Sequence, residues 1–107
     1  MVSQGDIIRL DLEPQAGREQ KGRRPAVVIS NNSFNRYSSM YMVCPITNTD
    51  KKHAFHILLD DRTKTSGVIL CDQARILDIA ARNFEFIERL PNDILERAKN
   101  LLIGFIE

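Results

Sequence analysis

The chain has 107 residues and a mass of 12.2 kDa, so a single domain spanning residues 1–107 is expected. Hydrophobic residues make up 43% of it, enough for a core, and the length excludes a two-domain enzyme with a complete dinucleotide-binding fold. The 15 Lys and Arg residues almost balance the 14 Asp and Glu residues, and this net charge of +1 argues against binding of nucleic acid over the whole surface.

The two cysteines, Cys44 and Cys71, lie inside apolar runs and form no Cys-x-x-Cys pair. We therefore expect them to be buried, in a reducing compartment, rather than to be ligands of a zinc ribbon. The N-terminal residues lack the basic and apolar segments of a secretory signal, and no apolar run is long enough for a membrane span. These features predict a protein of the cytoplasm.

Short apolar runs separated by Gly, Pro and Asn predict a protein made mainly of β-strands. Ile8, Leu10 and Leu12 alternate with other residues, which is typical of a strand with one buried face. The run AVVIS at 26–30 is largely β-branched and indicates a strand buried on both faces. A single helical turn is predicted at 33–36. The predicted strands are 6–12, 26–30, 40–45, 53–59, 67–71 and 75–79.

A second helix is predicted after Pro91, with Asn92 as its N-cap. Apolar residues between 94 and 106 fall on one stripe of this helix, opposite charged residues. Short strands followed by one closing helix predict a small, strongly bent antiparallel sheet or barrel, mainly β with some α.

The positive charge is concentrated in one part of the chain. Residues 15–36 carry a net charge of +4 and the remainder carries −3. Four of the cations lie at 18–24, in a loop between two predicted strands, where guanidinium groups could contact phosphate or simply keep the loop solvated. Arg24 directly precedes Pro25 and the AVVIS strand, so its side chain is expected close to a rigid element.

The sequence shows no metal site and no nucleotide-binding motif. His53 and His56 are three residues apart in a predicted strand, so they should point to opposite faces. The remaining polar residues suit cleavage of RNA, because RNA supplies its own 2′-hydroxyl nucleophile and needs only proton transfer and charge stabilisation. Thr47 and Asp72 each follow an apolar run. Alternatively, Thr47 forms a turn and Asp72 is an edge charge or pairs with an arginine such as Arg75.

An ordered series of segments resembles the MazF/PemK toxin family, whose members are sequence-specific endoribonucleases of bacterial toxin–antitoxin pairs. The resemblance spans about residues 5–82. The segments that carry it are GDI at 5–7, LEP at 12–14, GREQ at 17–20, GRRPAVV at 22–28, PIT at 45–47 and GVILCDQAR at 67–75.

The resemblance implies an SH3-like barrel, a homodimer, and cleavage of single-stranded RNA without a metal or other cofactor, leaving a 2′,3′-cyclic phosphate and a 5′-hydroxyl. It also implies a cognate antitoxin whose acidic, flexible tail takes the place of RNA. Arg24 corresponds to the catalytic arginine and Thr47 to the hydroxyl at the scissile phosphate. Glu19 and Asp72 correspond to catalytic carboxylates. The residues expected to contact RNA are Arg18, Gln20, Lys21, Arg23, Asn48, Ser66, Gln73 and Arg75.

Two positions depart from the PemK branch, which has histidine in place of Arg18 and arginine in place of Leu70. The second difference favours the arrangement of the MazF branch, led by Arg24 and Thr47. The general base stays open between Glu19 and Asp72, because arginine does not readily lose a proton. Two alternative functions are a gyrase poison of the CcdB type, on the same fold, and a regulatory RNA-binding barrel.

Overall fold

The computed structural model describes residues 2–12, 23–49 and 54–107. Within these ranges the chain forms seven strands, two α-helices and two short 3-10 turns, at 71–73 and 79–82. The strands are β1 (Asp6–Asp11), β2 (Arg23–Val28), β3 (Tyr41–Thr47), β4 (His56–Leu58), β5 (Val68–Leu70), β6 (Arg75–Leu77) and β7 (Glu85–Arg89). The α-helices are α1 (Asn32–Ser38) and α2 (Asn92–Ile106). None of the described helices is long and apolar enough to cross a membrane.

The strands form one antiparallel sheet in the order β4-β5-β3-β2-β1-β7, and β6 pairs with β3 beside this path. The first part of β3 pairs with β6 and its last two residues pair with β5, so the sheet changes partners along this strand. The sheet and the C-terminal helix confirm the prediction of a mainly β, SH3-like fold of antiparallel strands closed by a helix.

The core has two apolar clusters, because the central strands are buried on both faces. Ile8, Leu10 and Leu12 lie in one cluster, as the alternation predicts. Ile7 is also buried, in the other cluster, which includes residues of α2. The AVVIS strand likewise contributes to both clusters, which confirms its predicted burial. Both cysteines are buried, as expected.

The helices differ in detail from the prediction. The single turn expected at 33–36 is the first part of α1, which Asn31 caps by accepting a hydrogen bond of 2.8 Å from Phe34 N–H. The prediction that Asn92 caps α2 is wrong, since Asn92 is already helical and Pro91 holds the cap position without a side-chain bond. The carbonyl of Pro91 instead accepts the N–H groups of Ile94 and Leu95. The strand β7 was not predicted from the sequence.

Side chains join β7 and the start of α2 to the loop between β4 and β5, a junction that we call the seam. The carboxylate of Glu88, on β7, accepts hydrogen bonds from Lys64 N–H at 3.0 Å and from Thr65 N–H at 2.8 Å, in the loop between β4 and β5. In the same loop, Arg62 makes two hydrogen bonds of 2.8 and 3.0 Å to Asp93, in the first turn of α2. At the seam, the carboxylates of Glu88 and Asp93 hold the loop in place, and the described residues form no backbone hydrogen-bond ladder there.

Candidate functional site

Arg24 and Thr47 extend from neighbouring strands at the same end of the sheet. The last Cα partners of β2 and β3 are Ala26 and Pro45. Arg24 lies two residues beyond this pair along β2, and Thr47 lies two residues beyond it along β3. Side chains two residues apart in a strand share a face, so both point to the same side of the sheet as Ala26 and Pro45.

The two adjacent arginines of β2 have different surroundings. Arg23 donates to the carbonyl of Asn83 at 3.0 Å and to Glu85 Oε1 at 2.9 Å, so its guanidinium holds β2 against the start of β7. The side chain of Arg24 is exposed and makes no hydrogen bond or ion pair with any residue that the structure describes. Its five N–H donors can therefore bind a phosphate without breaking an internal contact.

The end of β3 carries a cluster of small polar groups. Thr47 Oγ1 accepts a hydrogen bond of 3.2 Å from Thr49 N–H, which leaves the hydroxyl proton available to an acceptor outside the protein. Ser66 Oγ donates to Asn48 Oδ1 at 2.9 Å, which ties the two polar residues that follow β3 and precede β5. Gly67 has φ +116°, and a Cβ on it would overlap the carbonyl oxygen of Thr47. Only glycine allows this close approach.

Two further arginines hold the end of β1. Arg75 Nη1 donates to the carbonyl of Leu12 at 3.2 Å, and Arg82 Nη1 donates to the same carbonyl at 3.1 Å. Part of the guanidinium of Arg75, predicted to bind RNA, is thus engaged with the backbone directly before residues 13–22. Gln73 is exposed on the 3-10 turn at 71–73.

Asp72 lies in a second group, on the side of the molecule where β4 meets α2. Its Oδ1 lies 3.5 Å from Nε2 of His56, on β4. The alternative that Asp72 pairs with Arg75 does not describe this structure, since Arg75 donates to Leu12. His56 was not predicted as a site residue, because only the pairing of β4 with β5 brings positions 56 and 72 together.

The neighbouring thiol of Cys44 does not offer a nucleophile. A hydrogen bond with Cys71, burial and the negative charge of Asp72 all raise the pKa of Cys44 far above its ordinary value. Cys44 therefore stays protonated and packs as a small apolar side chain.

Four predicted site residues, Arg18, Glu19, Gln20 and Lys21, lie outside the described residues, and their roles stay predictions. Among the residues that the structure describes, no three His, Cys, Asp or Glu side chains converge as metal ligands would. The described residues thus give two groups: Arg24 with Thr47, Asn48 and Ser66, and Asp72 with His56.

Comparison with known proteins relates the whole chain to one family. The family model described as PemK-like, MazF-like toxin of type II toxin-antitoxin system matches residues 3–106. The chain is 35% identical over 109 residues to the endoribonuclease PemK of Escherichia coli, which covers 94% of this chain and 82% of that protein. It is 37% identical over 103 residues to the endoribonuclease toxin MazF of Escherichia coli strain K12, covering 94% and 92%.

Solved structures of the same family resemble the chain in fold. The chain superposes on the crystal structure of MazF from Deinococcus radiodurans with a TM-score of 0.86 and 34% identity, covering 98% of this chain and 96% of that one. It also superposes on a MazE–MazF structure from the same organism, with a TM-score of 0.83 and 28% identity over 98% and 94% of the two chains.

Proposed function

The chain belongs to the PemK-like, MazF-like toxins of type II toxin–antitoxin systems and is an endoribonuclease, and we propose that it cuts single-stranded messenger RNA at a short specific sequence. The observation that carries this proposal is the placement of Arg24 and Thr47. They extend from adjacent strands at one end of the sheet, and both have side-chain donors that no described residue uses. Donors preorganised in this way suit a phosphate that gains negative charge during a reaction.

The proposed reaction uses the nucleophile that RNA carries. The 2′-hydroxyl oxygen attacks the adjacent phosphorus and loses its proton to a base, while the bond to the 5′-oxygen breaks and that oxygen gains a proton. The products are a 2′,3′-cyclic phosphate and a 5′-hydroxyl end. No step of this sequence requires a metal ion or a cofactor.

Arg24 would neutralise the charge that develops on the phosphate and donate a hydrogen bond to the leaving oxygen, which takes its proton from water, while Thr47 donates a hydrogen bond to the phosphate. The base is Glu19 or Asp72, because each is a carboxylate that corresponds to a catalytic position of the family. The remaining residues that we expect to contact RNA are Arg18, Gln20, Lys21, Arg23, Asn48, Ser66, Gln73 and Arg75.

We also propose that the protein acts as a homodimer. Two exposed apolar areas support this, one at the end of α2 and one on β7. Ile103 and Ile106 of α2 are 50% and 87% exposed, and Phe86 of β7 is 54% exposed. Pairing of two chains would remove such surface from water and so favour association. Light scattering across a range of concentrations tests this, and a particle of 12.2 kDa throughout would refute it.

A cognate antitoxin is the second proposed partner. Its acidic, flexible tail would lie where RNA binds, because the four cations at residues 18–24 attract either polyanion. We place toxin and antitoxin in the cytoplasm, where messenger RNA is present.

The test incubates the purified protein with a long RNA in EDTA and maps the ends by primer extension. Discrete cuts with 2′,3′-cyclic phosphate ends are expected, and the cut sites give the recognition sequence. Uncut RNA together with inhibited DNA supercoiling would indicate a gyrase poison instead. Bound but uncut RNA would indicate a regulatory RNA-binding barrel.

A further inference from the structure

We propose that His56 is a positioning residue for Asp72, so that the two side chains act as one unit in RNA cleavage. His56 Nε2 lies 3.5 Å from Asp72 Oδ1, a direct polar contact. The proposal rests on the proposed function and deepens it, because it assigns a task to a side chain that lies outside the group around Arg24 and Thr47.

The backbone fixes both members of the pair. His56 is the Cα partner of Leu70 in the pairing of β4 with β5, and Asp72 follows Leu70 by two residues. The N–H of Cys71 donates to the carbonyl of Phe55 at 3.2 Å, so the 3-10 turn that carries Asp72 is bound to the residue before His56. The imidazole is therefore opposite the carboxylate because of strand pairing and not because of a flexible surface contact.

The two side chains differ in their access to solvent. The side chain of His56 is 9% exposed and that of Asp72 is 36% exposed. A substrate can thus reach the carboxylate of Asp72 more readily than the imidazole, little of which is exposed. We therefore assign His56 to act through Asp72, as a positioning residue rather than a catalytic one.

The imidazole lies beside a groove between β4 and α2. His56 and Ile57 line one side of a groove of about 370 Å³, and Arg97, Asn100 and Leu101 of α2 line the other. The side chain that faces His56 across the strand pair is Leu70, which carries no charge. Among the described residues, the contact with His56 is the one polar contact that orients the carboxylate of Asp72.

The test measures kcat and KM on a defined RNA for the single variants and for the double variant His56→Ala/Asp72→Asn. Asp72→Asn should lower kcat by about 100-fold, as loss of an acid–base group does. His56→Ala should lower kcat by about 10-fold and leave KM unchanged, because His56 does not touch RNA. The double variant should be no slower than Asp72→Asn, since coupled residues are not additive. His56→Gln, which keeps an N–H donor, should recover most of the rate.

Full kcat in His56→Ala, or an equal loss in the wild-type and Asp72→Asn backgrounds, would overturn the proposal. If thermal melting shows that His56→Ala is unfolded, the kcat of His56→Gln tests the proposal instead. A kcat of His56→Gln as low as that of Asp72→Asn would count against a positioning role for His56. Asp61→Asn, an exposed carboxylate between β4 and β5, should leave kcat unchanged.

The proposed function fails separately. If the wild-type protein cuts no RNA, the ribonuclease assignment is refuted and the positioning role with it. If Arg24→Ala is inactive while Asp72→Asn keeps full activity, the ribonuclease assignment stands and only the role of His56 is overturned.

Discussion

Arg89 Nη1 lies 2.7 Å from Asp6 Oδ1, but the two side chains are unequally buried, with 56% of Arg89 and 6% of Asp6 exposed. We expect Arg89→Met to cost about 3 kcal/mol, because it leaves a buried carboxylate without its cation. Asp6→Asn should cost less, about 1–2 kcal/mol, because Arg89 can return to water. Urea denaturation of both variants checks this order, and a larger loss in Asp6→Asn would contradict it.

Arg24→Ala should lower kcat by about 100-fold or more while leaving the fold intact, because the arginine provides charge stabilisation that nothing else replaces. The matched control is Arg36→Ala, which removes the same charge from the exposed face of α1. It should stay within about 2-fold of the wild type, the range expected when only a distant charge is lost. Equal effects of the two variants would show that bulk charge matters and not the position of Arg24.

Thr47→Ala should also lower kcat by about 100-fold, because it removes the hydroxyl whose proton faces away from Thr49. Thr47→Ser keeps that hydroxyl and should stay within about 10-fold of the wild type, as expected when the donor is kept but its rotamer is less restricted. Single-turnover cleavage of a short RNA measures both. A Thr47→Ser protein as slow as Thr47→Ala would assign the effect to the lost methyl group and its packing.

Gly67→Ala should damage fold and activity together. Its φ of +116° strains any other residue, and the added Cβ would displace the carbonyl of Thr47. We expect a loss of about 1–3 kcal/mol in the free energy of unfolding, with reduced cleavage because Thr47 moves. Gly104→Ala is the control. Gly104 lies in α2 and has no atom within 4 Å of the added Cβ. The free energy of unfolding of this variant should rise by up to about 1 kcal/mol.

Glu88 should contribute to stability at neutral pH and lose that contribution in acid. Burial alone would raise its pKa, but hydrogen bonds from Lys64 and Thr65 outweigh burial and hold the pKa below its ordinary value of 4.5. A carboxyl whose pKa is lower in the folded state stabilises the protein above the ordinary value, and the effect disappears as pH falls through the folded pKa.

The measurement compares wild type with Glu88→Gln by chemical denaturation at several pH values. The difference in the free energy of unfolding should be constant above about pH 5 and shrink towards pH 3. Bonds to Arg62 also lower the pKa of Asp60 and of Asp93, so both proteins should lose stability in acid and only their difference reports Glu88. A difference that does not change with pH would refute the role of the carboxylate.

The sequence allowed most strands to be predicted where the pattern is local. Two such patterns are the alternation of Ile8, Leu10 and Leu12 and the AVVIS run. Both correspond to buried strands, because apolar residues occupy the positions whose side chains face the core. The strand β7 was missed since Phe86 is exposed and its partner, β1, lies about 80 positions away along the chain. The strand predicted at 53–59 is limited to His56–Leu58 among the described residues.

The candidate site shows the same division between local and distant information. Arg24 and Thr47 were found through short motifs, and their placement at one end of β2 and β3 follows from strand order. The use of Arg23 to bind Glu85, and of Arg75 to bind Leu12, could not be predicted, because each joins segments more than 60 positions apart. The contact between His56 and Asp72 depends likewise on the register of a strand pair.

The seam at Glu88 allows the loop between β4 and β5 to open while the rest of the sheet stays folded. The N–H groups of Lys64 and Thr65 bond to one carboxylate rather than to a neighbouring strand. The loop can therefore detach by breaking these bonds and those of Arg62 to Asp93, without breaking any backbone ladder. Amide hydrogen exchange at these two positions should then be faster than at the N–H groups of β1 and β2. The seam thus lets one edge of the barrel open while its centre stays folded, including the strands that carry Arg24 and Thr47.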